Sequence, residues 1–516
     1  MRISVPGTVI LAVILAVLLR SWVFVSLDTI LPQNGLYVDE KTFAMSPFVP
    51  GVRGFSRPPG MFAAFMLLGS ADGAVLWRVM MSLFSILPAL ALYLAMGRRG
   101  PRTAALAAGL AVSPFLVLYG LQLMPAVPAA VLLSFALLAS VRENHALAGF
   151  LTGTAVLFRA ELAIVPAVLL LMSFGSRFRS WTLFTSMAAV AVLPVVLINV
   201  ISGAGPVIAA NGGENLWIGT SWEMISTPPG VEFEELVAIG PGDQAGDHVF
   251  FNRALRSIGD DPVEWAGMGI VKAAEYFSLP GPGRNMETGW VMGKTFLLVL
   301  LPLTLAAMSL GISGAFIRKP EYWVLLSVSI LAAGIISSFV FFPSARFRTA
   351  TLPAFWFLAA GAVTRPGALR RSLLPALTII LISALLTYPG KERSGLTSML
   401  AAEHMFAIGD PRRSMEYIQE AADRGYDGAD LHNVRGACLS SSGYLREGLT
   451  EFEKALQTAP SSPTVWKNYA VSLWSNGRYV ESLDAARRAI YLNPLLREEL
   501  GPILDHGEDR GLNDGT

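Results

Sequence analysis

The sequence predicts an all-α protein in which a polytopic membrane domain precedes a domain of repeated soluble helices. The 516-residue chain is 53% hydrophobic and only 15% charged, and its mean hydropathy is +0.52. A soluble protein of this length would be far less apolar. From about residue 395 the pattern becomes polar, helical and internally repetitive. These observations divide the chain into a membrane domain, residues 1–390, and a repeat domain, residues 391–516.

Apolar segments follow one another through most of the first domain. Crossing about 30 Å of hydrocarbon takes roughly 18–20 apolar residues in a helix. The predicted spans are 7–27, 74–96, 103–120, 125–141, 146–158, 160–174, 181–201, 291–317, 322–342, 349–364 and 373–388. The doubtful segment is 146–172, which fits either one long tilted helix or two helices broken near "FRAEL".

Charge favours the two-helix alternative. The connectors "GRRGPR", "VRENH", "GSRFRS", "IRKP" and "TRPGALRR" all carry excess arginine or lysine. The positive-inside rule assigns such connectors to the cytoplasm. They share one side only if residues 146–172 cross twice, which gives about 11 transmembrane helices with the N-terminus inside and the C-terminus outside.

Acidic charge is concentrated in the segments expected outside the cytoplasm. Residues 202–290 contain 12 acidic and 4 basic residues, and residues 391–516 contain 19 and 14, although the whole chain has a net charge of +1. We therefore expect a multi-pass protein of the plasma (inner) membrane whose external loops, 28–73 and 202–290, and repeat domain are extracytoplasmic. Its partners would include membrane lipids, and no nucleic acid. The single cysteine, Cys438, excludes an intrachain disulfide.

The C-terminal domain contains a 34-residue repeat. "LHNVRGACLSSSGYLREGLTEFEKALQTAPSSP" aligns with "TVWKNYAVSLWSNGRYVESLDAARRAIYLNP", and a degenerate earlier copy keeps Gly409 and Ala421. The matched pairs are Gly443 with Gly477, Glu447 with Glu481, Ala455 with Ala489, and Pro460 with Pro494. This pattern resembles the tetratricopeptide repeat (TPR). The resemblance implies an α-solenoid whose concave surface binds a protein partner.

Charged residues also occur where the chain leaves its first apolar segment. "NGLYVDEKTFAM" holds adjacent carboxylates, Asp39 and Glu40, and "GVRGFSRPPGMF" holds Arg53 and Arg57 before the next apolar segment. A solvated loop pair, with Lys41 as partner to the carboxylates, is the simpler interpretation of the acidic motif.

Six motifs in order resemble the GT-C superfamily of polyprenyl-phosphate-sugar-dependent glycosyltransferases, in particular the family-39/83 type. That type is related to protein mannosyltransferases and to the lipid A aminoarabinose transferase. The motifs are "LLRSWVF", "YVDEKTFAM", "SRPPGMFAAFMLLG", "LAGFLTGTAVLFRAELAIVP", "LPVVLINVISG" with "NGGENLWIGTS", and "SARFRTATLPAFWFLAAGA". Two positions depart from the family. Arg57 stands where histidine is usual, and Ala126 and Val127 stand where relatives often carry a second acid.

The resemblance implies roles for the charged residues. Asp39 would be the general base and Glu40 would assist it, because an acceptor hydroxyl must lose a proton as it attacks the sugar. Four arginines at expected external helix ends would bind the lipid phosphate: Arg53, Arg57, Arg346 and Arg348. Snorkelling to lipid head groups is the alternative role for each arginine. If "PSARFRTATLP" is extended, Arg346 and Arg348 lie on one face and clamp the same phosphate.

The long loop offers a candidate sugar platform in "NGGENLWIGTSWE". Asn211, Asn215 and Trp217 supply amides and a stacking surface, whereas an interfacial aromatic anchor is the alternative. The five histidines and one cysteine form no zinc signature, so no metal site is predicted from the residues. The resemblance leaves room for a divalent cation with Glu40 as a ligand.

The leading functional prediction is an integral membrane glycosyltransferase that transfers a sugar from a polyprenyl-phosphate donor to a protein or envelope glycan outside the cytoplasm. A non-catalytic GT-C-like scaffold that organises envelope assembly through its repeats is the main alternative. An O-antigen ligase-like or polymerase-like enzyme fits less well, because its large external loop falls between late spans. A transporter fits least, since no inverted repeat of broken helices is visible.

Overall fold

The structure is a computed structural model of the whole chain. It describes residues 7–30, 55, 57–68, 74–96, 100–173, 178–226, 230–231, 234, 247–277, 306–315, 320–364, 374, 377–378, 381 and 395–509. The regular secondary structure among these residues is entirely helical, as the sequence predicts. Two compact units result. The first contains Met1–Thr220, Asp247–Pro282 and Thr288–Pro389, and the second contains Ser221–Gly246, Gly283–Glu287 and Gly390–Thr516.

The helices are numbered in chain order. They are α1 (Gly7–Ile30), α2 (Gly60–Leu68), α3 (Ala74–Phe84), α4 (Leu87–Met96), α5 (Pro101–Ala111), α6 (Pro114–Gly120), α7 (Ala126–Val141), α8 (His145–Val156), α9 (Val165–Ser173), α10 (Phe178–Ile201), α11 (Gly212–Ile218), α12 (Trp222–Ser226), α13 (Asp247–Asp260), α14 (Pro262–Glu275), α15 (Ala306–Ala315), α16 (Tyr322–Val340), α17 (Ala345–Val363), α18 (Leu396–Ala407), α19 (Pro411–Asp423), α20 (Ala429–Ser441), α21 (Leu445–Thr458), α22 (Pro463–Ser475), α23 (Tyr479–Leu492) and α24 (Arg497–Asp509).

Several of these helices have the length and composition of membrane spans. Within the described ranges, four are long and apolar enough to cross: Val75–Met96, Pro101–Gly120, Phe178–Ile201 and Tyr322–Val340. Shorter apolar helices are Ile10–Val25, Ala126–Val141, His145–Val156, Ala160–Ser173 and Ala306–Ala315. The segment 146–172 is broken, as charge favours: α8 ends at Val156 and a 3₁₀ turn, Ala160–Ile164, precedes α9. Helix α2 lies outside the predicted spans, and much of spans 291–317 and 373–388 lies outside the described residues.

A buried arginine fixes the first helix. Arg20 is 3% exposed. It donates to the carbonyl oxygens of Ala16 (3.0 Å), Ser82 (3.1 Å) and Ala111 (2.7 Å), and to the hydroxyl of Ser85 (2.9 Å). The acceptors lie at the break between α3 and α4 and at the end of α5, where backbone carbonyls lack helical partners. Arg20 therefore joins three helix segments, which accounts for a cation inside an apolar run without a substrate.

Helix α17 lies at the centre of the first unit. Phe355, Trp356, Phe357 and Leu358 are consecutive, and each is fully buried. A helix buried on all sides is hydrophobic all round rather than amphipathic. It packs against α7 and α16, which are themselves largely buried. The first turn of α17 contains Arg346 and Arg348, so the core of the bundle determines where these two cations lie.

Close glycine contacts set the spacing of α8 and α10. Gly149 and Gly153 lie one turn apart on α8, and a Cβ on either would collide with the backbone of α10 at Phe184 or Ala188. Small residues at this spacing let apolar helices approach until their backbones touch. The approach holds α8, and therefore the turn that follows it, in a defined place.

The described residues of the second unit form three helical hairpins: α18 with α19, α20 with α21, and α22 with α23. The second helices begin at Pro411, Leu445 and Tyr479, which keeps the 34-residue spacing of the sequence repeat. Before each of them a glycine with positive φ ends the first helix, namely Gly409 (83°), Gly443 (90°) and Gly477 (77°). Glycine is the residue suited to this left-handed turn. The matched alanines Ala421, Ala455 and Ala489 are fully buried.

Candidate active site

The two arginines at the start of α17 do not share a face. The expectation of an extended segment is wrong, because α17 begins at Ala345 and both residues are helical. Residues two apart on a helix point about 200° away from each other. Arg348 is 1% exposed, whereas Arg346 is half-buried. A single two-arginine clamp of the kind predicted is therefore not formed by this backbone.

Arg348 is enclosed by aromatic and polar groups of the first unit. Its guanidinium carbon lies 4.3 Å from the centroid of the Phe115 ring, and Nη1 donates to the carbonyl oxygen of Tyr276 at 3.3 Å. Tyr119 and Glu275 are near enough to interact with its charge. Stacking and charge interactions of this kind stabilise a buried guanidinium. Arg348 thus joins α17 to α6 and to the end of α14.

Arg346 belongs to a second group of charges. Its Nε lies 3.4 Å from the hydroxyl of Ser344, and its charge interacts with that of Arg159. Arg159 stacks over the Phe347 ring at 4.4 Å. It also donates from Nε to Glu161 Oε1 at 2.6 Å, which makes Glu161 its counter-ion. The break after α8 therefore brings a cation, its counter-ion and Arg346 together.

The turn that carries Arg57 is tied to the same end of the bundle. The Phe55 N–H donates to Asn199 Oδ1 at 2.6 Å, and the Phe55 carbonyl accepts from the Ala210 N–H at 2.8 Å. The Gly60 N–H donates to the Leu157 carbonyl at 2.7 Å, and a Cβ on Gly60 would overlap Phe158. Since Leu157 is two residues before Arg159, the turn lies beside the arginines of the α8 break.

The platform helix α11 packs tightly on α13. Gly213 touches the backbone of Asp247, and Asp247 Oδ1 accepts from the Glu214 N–H at 3.0 Å. The side-chain amide of Asn215 donates to the Asn211 carbonyl oxygen at 2.9 Å. This amide is therefore engaged within its own helix. The indole N–H of Trp217 is buried and has no acceptor among the described residues. Trp217 is therefore the member of the predicted platform with an uncommitted donor.

Lys272 connects the platform helix to the arginine helix. It is fully buried on α14, and Nζ donates to the carbonyl oxygens of Gly219 at 2.8 Å and Phe341 at 3.0 Å. Gly219 ends α11 and Phe341 ends α16, four residues before α17 begins. A Cβ on Gly219 would collide with the Phe341 carbonyl. Burial lowers the pKa of Lys272 to about 7.

Four of the described residues that the sequence predicts for the site lie on neighbouring segments of the first unit. Arg57, Arg346, Arg348 and Trp217 lie on segments that contact one another or contact shared neighbours. Asp39, Glu40 and Arg53 lie outside the described residues. Sequence reasoning missed the roles of Lys272, Glu275, Tyr276 and Phe115. Lys272 gives no sequence signal, because "GIVKAAEY" reads as an ordinary amphipathic helix.

This arrangement is suited to an anion at the end of an apolar bundle. Arg159 and Arg346 lie together beside the Arg57 turn, with Glu161 as the counter-ion of Arg159, whereas Arg348 lies on another face of α17 near Glu275. Guanidinium groups in a site of low polarity bind phosphate oxygens strongly. In the described ranges no group of three or more His, Cys, Asp or Glu side chains is arranged to hold a metal ion.

Comparison with known proteins finds matches among solved structures alone, and at low identity. No protein-family model matches the chain, and no curated protein matches it. Among solved structures, the crystal structure of ArnT from Cupriavidus metallidurans bound to undecaprenyl phosphate is 15% identical, and the alignment covers 94% of this chain and 80% of that chain. The TM-score is 0.33.

Lys272→Met should change the pH dependence of stability. In the unfolded chain the amine stays protonated up to its ordinary pKa of 10.5, whereas in the folded chain it loses the proton above a pH of about 7. Between these values the unfolded state binds more protons, so Lys272 makes stability rise with pH. We expect Lys272→Met to cost about 1–3 kcal/mol through two unpaired carbonyls, with a difference from wild type that widens between pH 7 and pH 10. Unfolding temperatures in detergent measure this. A difference independent of pH would show that Lys272 does not titrate in that range.

Proposed function

We propose that the chain is an integral membrane glycosyltransferase that takes a sugar from a polyprenyl-phosphate donor. It transfers that sugar to a hydroxyl of a protein or an envelope glycan outside the cytoplasm. The observation that supports this most is the arginine cluster, which is formed by Arg159 and Arg346 beside the Arg57 turn. Cations gathered at one end of a membrane helix bundle favour an anion there, because charge in an apolar surrounding is costly. A lipid-linked phosphate supplies the anion and the apolar chain together.

The proposed reaction is a displacement at the anomeric carbon. The acceptor oxygen forms a bond to that carbon as the bond from carbon to phosphate oxygen breaks. The phosphate leaves with the electron pair as polyprenyl phosphate, and the acceptor proton passes to a carboxylate. Guanidinium groups that already face the leaving oxygen stabilise the charge that develops on it. Arg57 and Arg346 would make these contacts, together with Arg53. Arg348, which is enclosed by Phe115 and Tyr276, would fix the helix that presents Arg346.

Asp39 is proposed as the general base, with Glu40 beside it to position the acceptor or to hold a divalent cation. This assignment rests on the motif "YVDEKTFAM". Since Ala126 and Val127 are fully buried apolar residues, they offer no second acid at the start of α7. Glu161 and Glu275 are the described carboxylates near the arginines, and Glu161 is engaged by Arg159. Trp217 is proposed to offer its ring as a stacking surface for the sugar.

A non-catalytic scaffold is the second candidate. The apolar pair Ala126–Val127 favours it, because a second carboxylate that relatives often carry is replaced by buried side chains. In this alternative the arginine cluster binds a lipid phosphate without chemistry, and the TPR-like domain organises envelope assembly through a protein partner. The two candidates differ in whether Asp39 is needed as a proton acceptor.

Asp39→Asn separates the two candidates. The change keeps the side-chain shape and removes the proton acceptor, so transfer should fall by roughly 10²–10⁴-fold, the usual range for loss of a general base. Cells that lack the gene, complemented with wild type or variant, would be compared by mass spectrometry of envelope glycans and glycoproteins. Asp260→Asn, an exposed carboxylate at the end of α13, is the matched control and should restore full transfer. Full transfer by a normally expressed Asp39→Asn chain would remove Asp39 from catalysis.

The proposed function requires the repeats to lie outside the cytoplasm. Two exposed positions are suited to cysteine labelling, Ser475 at the end of α22 and Glu143 on a predicted cytoplasmic connector. Ser462, at the start of α22, is fully buried and therefore unsuited to it. In a chain with Cys438→Ala, Ser475→Cys should react with a membrane-impermeant maleimide in intact cells, and Glu143→Cys should react only after lysis. The reverse pattern would place the repeats in the cytoplasm and contradict the proposed topology.

A further inference from the structure

The second unit holds a short piece of the long loop. Residues 230, 231 and 234 are described there, and the Glu234 N–H donates to the Gly230 carbonyl at 3.0 Å, which is one helical turn. Val231 is 3% exposed and packs among Ala429, Ala455, Ala459, Val465 and Leu456. The Val231 N–H donates to Asp430 Oδ1 at 2.7 Å. A Cβ on Gly230 would collide with the same carboxylate, so only glycine fits before the valine.

The other end of the turn binds the start of a helix. Glu234 Oε1 accepts from the Thr464 hydroxyl at 2.7 Å, and Oε2 accepts from the Ser462 hydroxyl and from the Thr464 N–H at 3.3 Å. Ser462 is the N-cap of α22, whose free N–H groups and dipole favour a carboxylate. The site therefore binds two side chains that are three residues apart, the apolar Val231 and the acidic Glu234.

The residues that form this site are held in place without the turn. Ala429 begins α20, Ala455 and Ala459 lie at the end of α21, and Val465 lies in the first turn of α22. These helices pack on their neighbours through two separate groups of buried residues that do not include Val231. A pocket lined by small, packed residues persists when its occupant leaves, because the neighbours have little freedom to collapse into it.

We propose that this junction of α20, α21 and α22 is a peptide-binding site for a Gly-Val-x-x-Glu helical turn, and that a protein partner presenting such an acidic turn displaces the chain's own residues 230–234. The site lies at the ends of helices between successive repeats. It is independent of the proposed transferase activity, since none of its residues belongs to the arginine cluster.

Tethering explains why the site is filled in the isolated chain. The loop segment is joined to the first unit at both ends, at Thr220 and Asp247. A short tether gives an effective concentration on the order of millimolar. A turn with two anchoring side chains binds weakly as a free peptide but fills the site when tethered. A partner must therefore bind through further contacts or be held nearby at high local concentration.

The test uses full-length protein in detergent and a fluorescent peptide of residues 227–237, "TPPGVEFEELV". The double variant Val231→Asp, Glu234→Lys is designed to release the loop and leave the site itself unaltered. Aspartate does not fit the apolar pocket of Val231. Lysine in place of Glu234 is repelled by the N-terminus of α22. We expect the peptide to bind the released chain at least about tenfold more tightly than wild type, since the tethered competitor is gone. Thr464→Val in the released chain should abolish the gain.

Two control peptides establish which glutamate of the peptide contacts the N-terminus of α22. A peptide with Glu234→Gln should bind at least about tenfold more weakly, because it loses the charge-assisted contacts, whereas a peptide with Glu235→Gln has the same net charge and should bind normally. Cys438, fully buried in the repeats, reports folding: it should stay unreactive to thiol reagents in every variant. If the double variant exposes Cys438, the single variant Glu234→Gln replaces it and should give a smaller gain in the same direction. Equal binding by wild type and a folded released chain, or by the two control peptides, would overturn the proposal.

Discussion

The buried amine of Lys272 is the contact on which the arrangement of the candidate site depends. It binds the carbonyl oxygens that end two different helices, at Gly219 and Phe341. One of these helices carries Trp217, and the other leads directly into Arg346 and Arg348. Carbonyls at a helix end need a partner when they are buried. A single donor that serves both ends fixes the distance between the helix of Trp217 and the helix of Arg346 and Arg348.

Three buried basic side chains in the described part of the first unit are placed in the same way. Arg20, Arg348 and Lys272 are all buried, and each donates to backbone carbonyls at the end or break of a helix. Where the helix ladder stops, unpaired carbonyls offer the only strong acceptors in an apolar surrounding. Arg159 and Arg346 differ, because they interact with each other's charge beside Glu161.

The sequence predicts the helices of this protein well, and their ends and contacts poorly. Apolar runs in the sequence predicted α1, α7, α10 and α16, and the repeated glycines and alanines predicted the hairpins of the second unit. Both signals are patterns of composition or spacing along the chain, so they can be recognised without the structure. The break near Arg159 was visible as a charged interruption. By contrast, the helical start of α17 was missed. The Ser344 side chain caps this helix by accepting from the Arg346 N–H, whereas the prediction treated the segment as extended. Lys272, Glu275 and the docking of Val231 depend on partners 50 or more residues away, which no local pattern records.

Binding of a polyprenyl phosphate tests the central claim most directly. Native mass spectrometry of the detergent-solubilised chain would compare a polyprenyl phosphate with the polyprenol of the same length. If the arginine cluster binds the phosphate, wild type should prefer the phosphate at least about tenfold, the contribution of one charge-assisted contact. Arg346→Gln should lose most of that preference while binding the polyprenol as before. Equal binding of phosphate and alcohol by wild type would contradict the account and leave the cluster a purely structural feature.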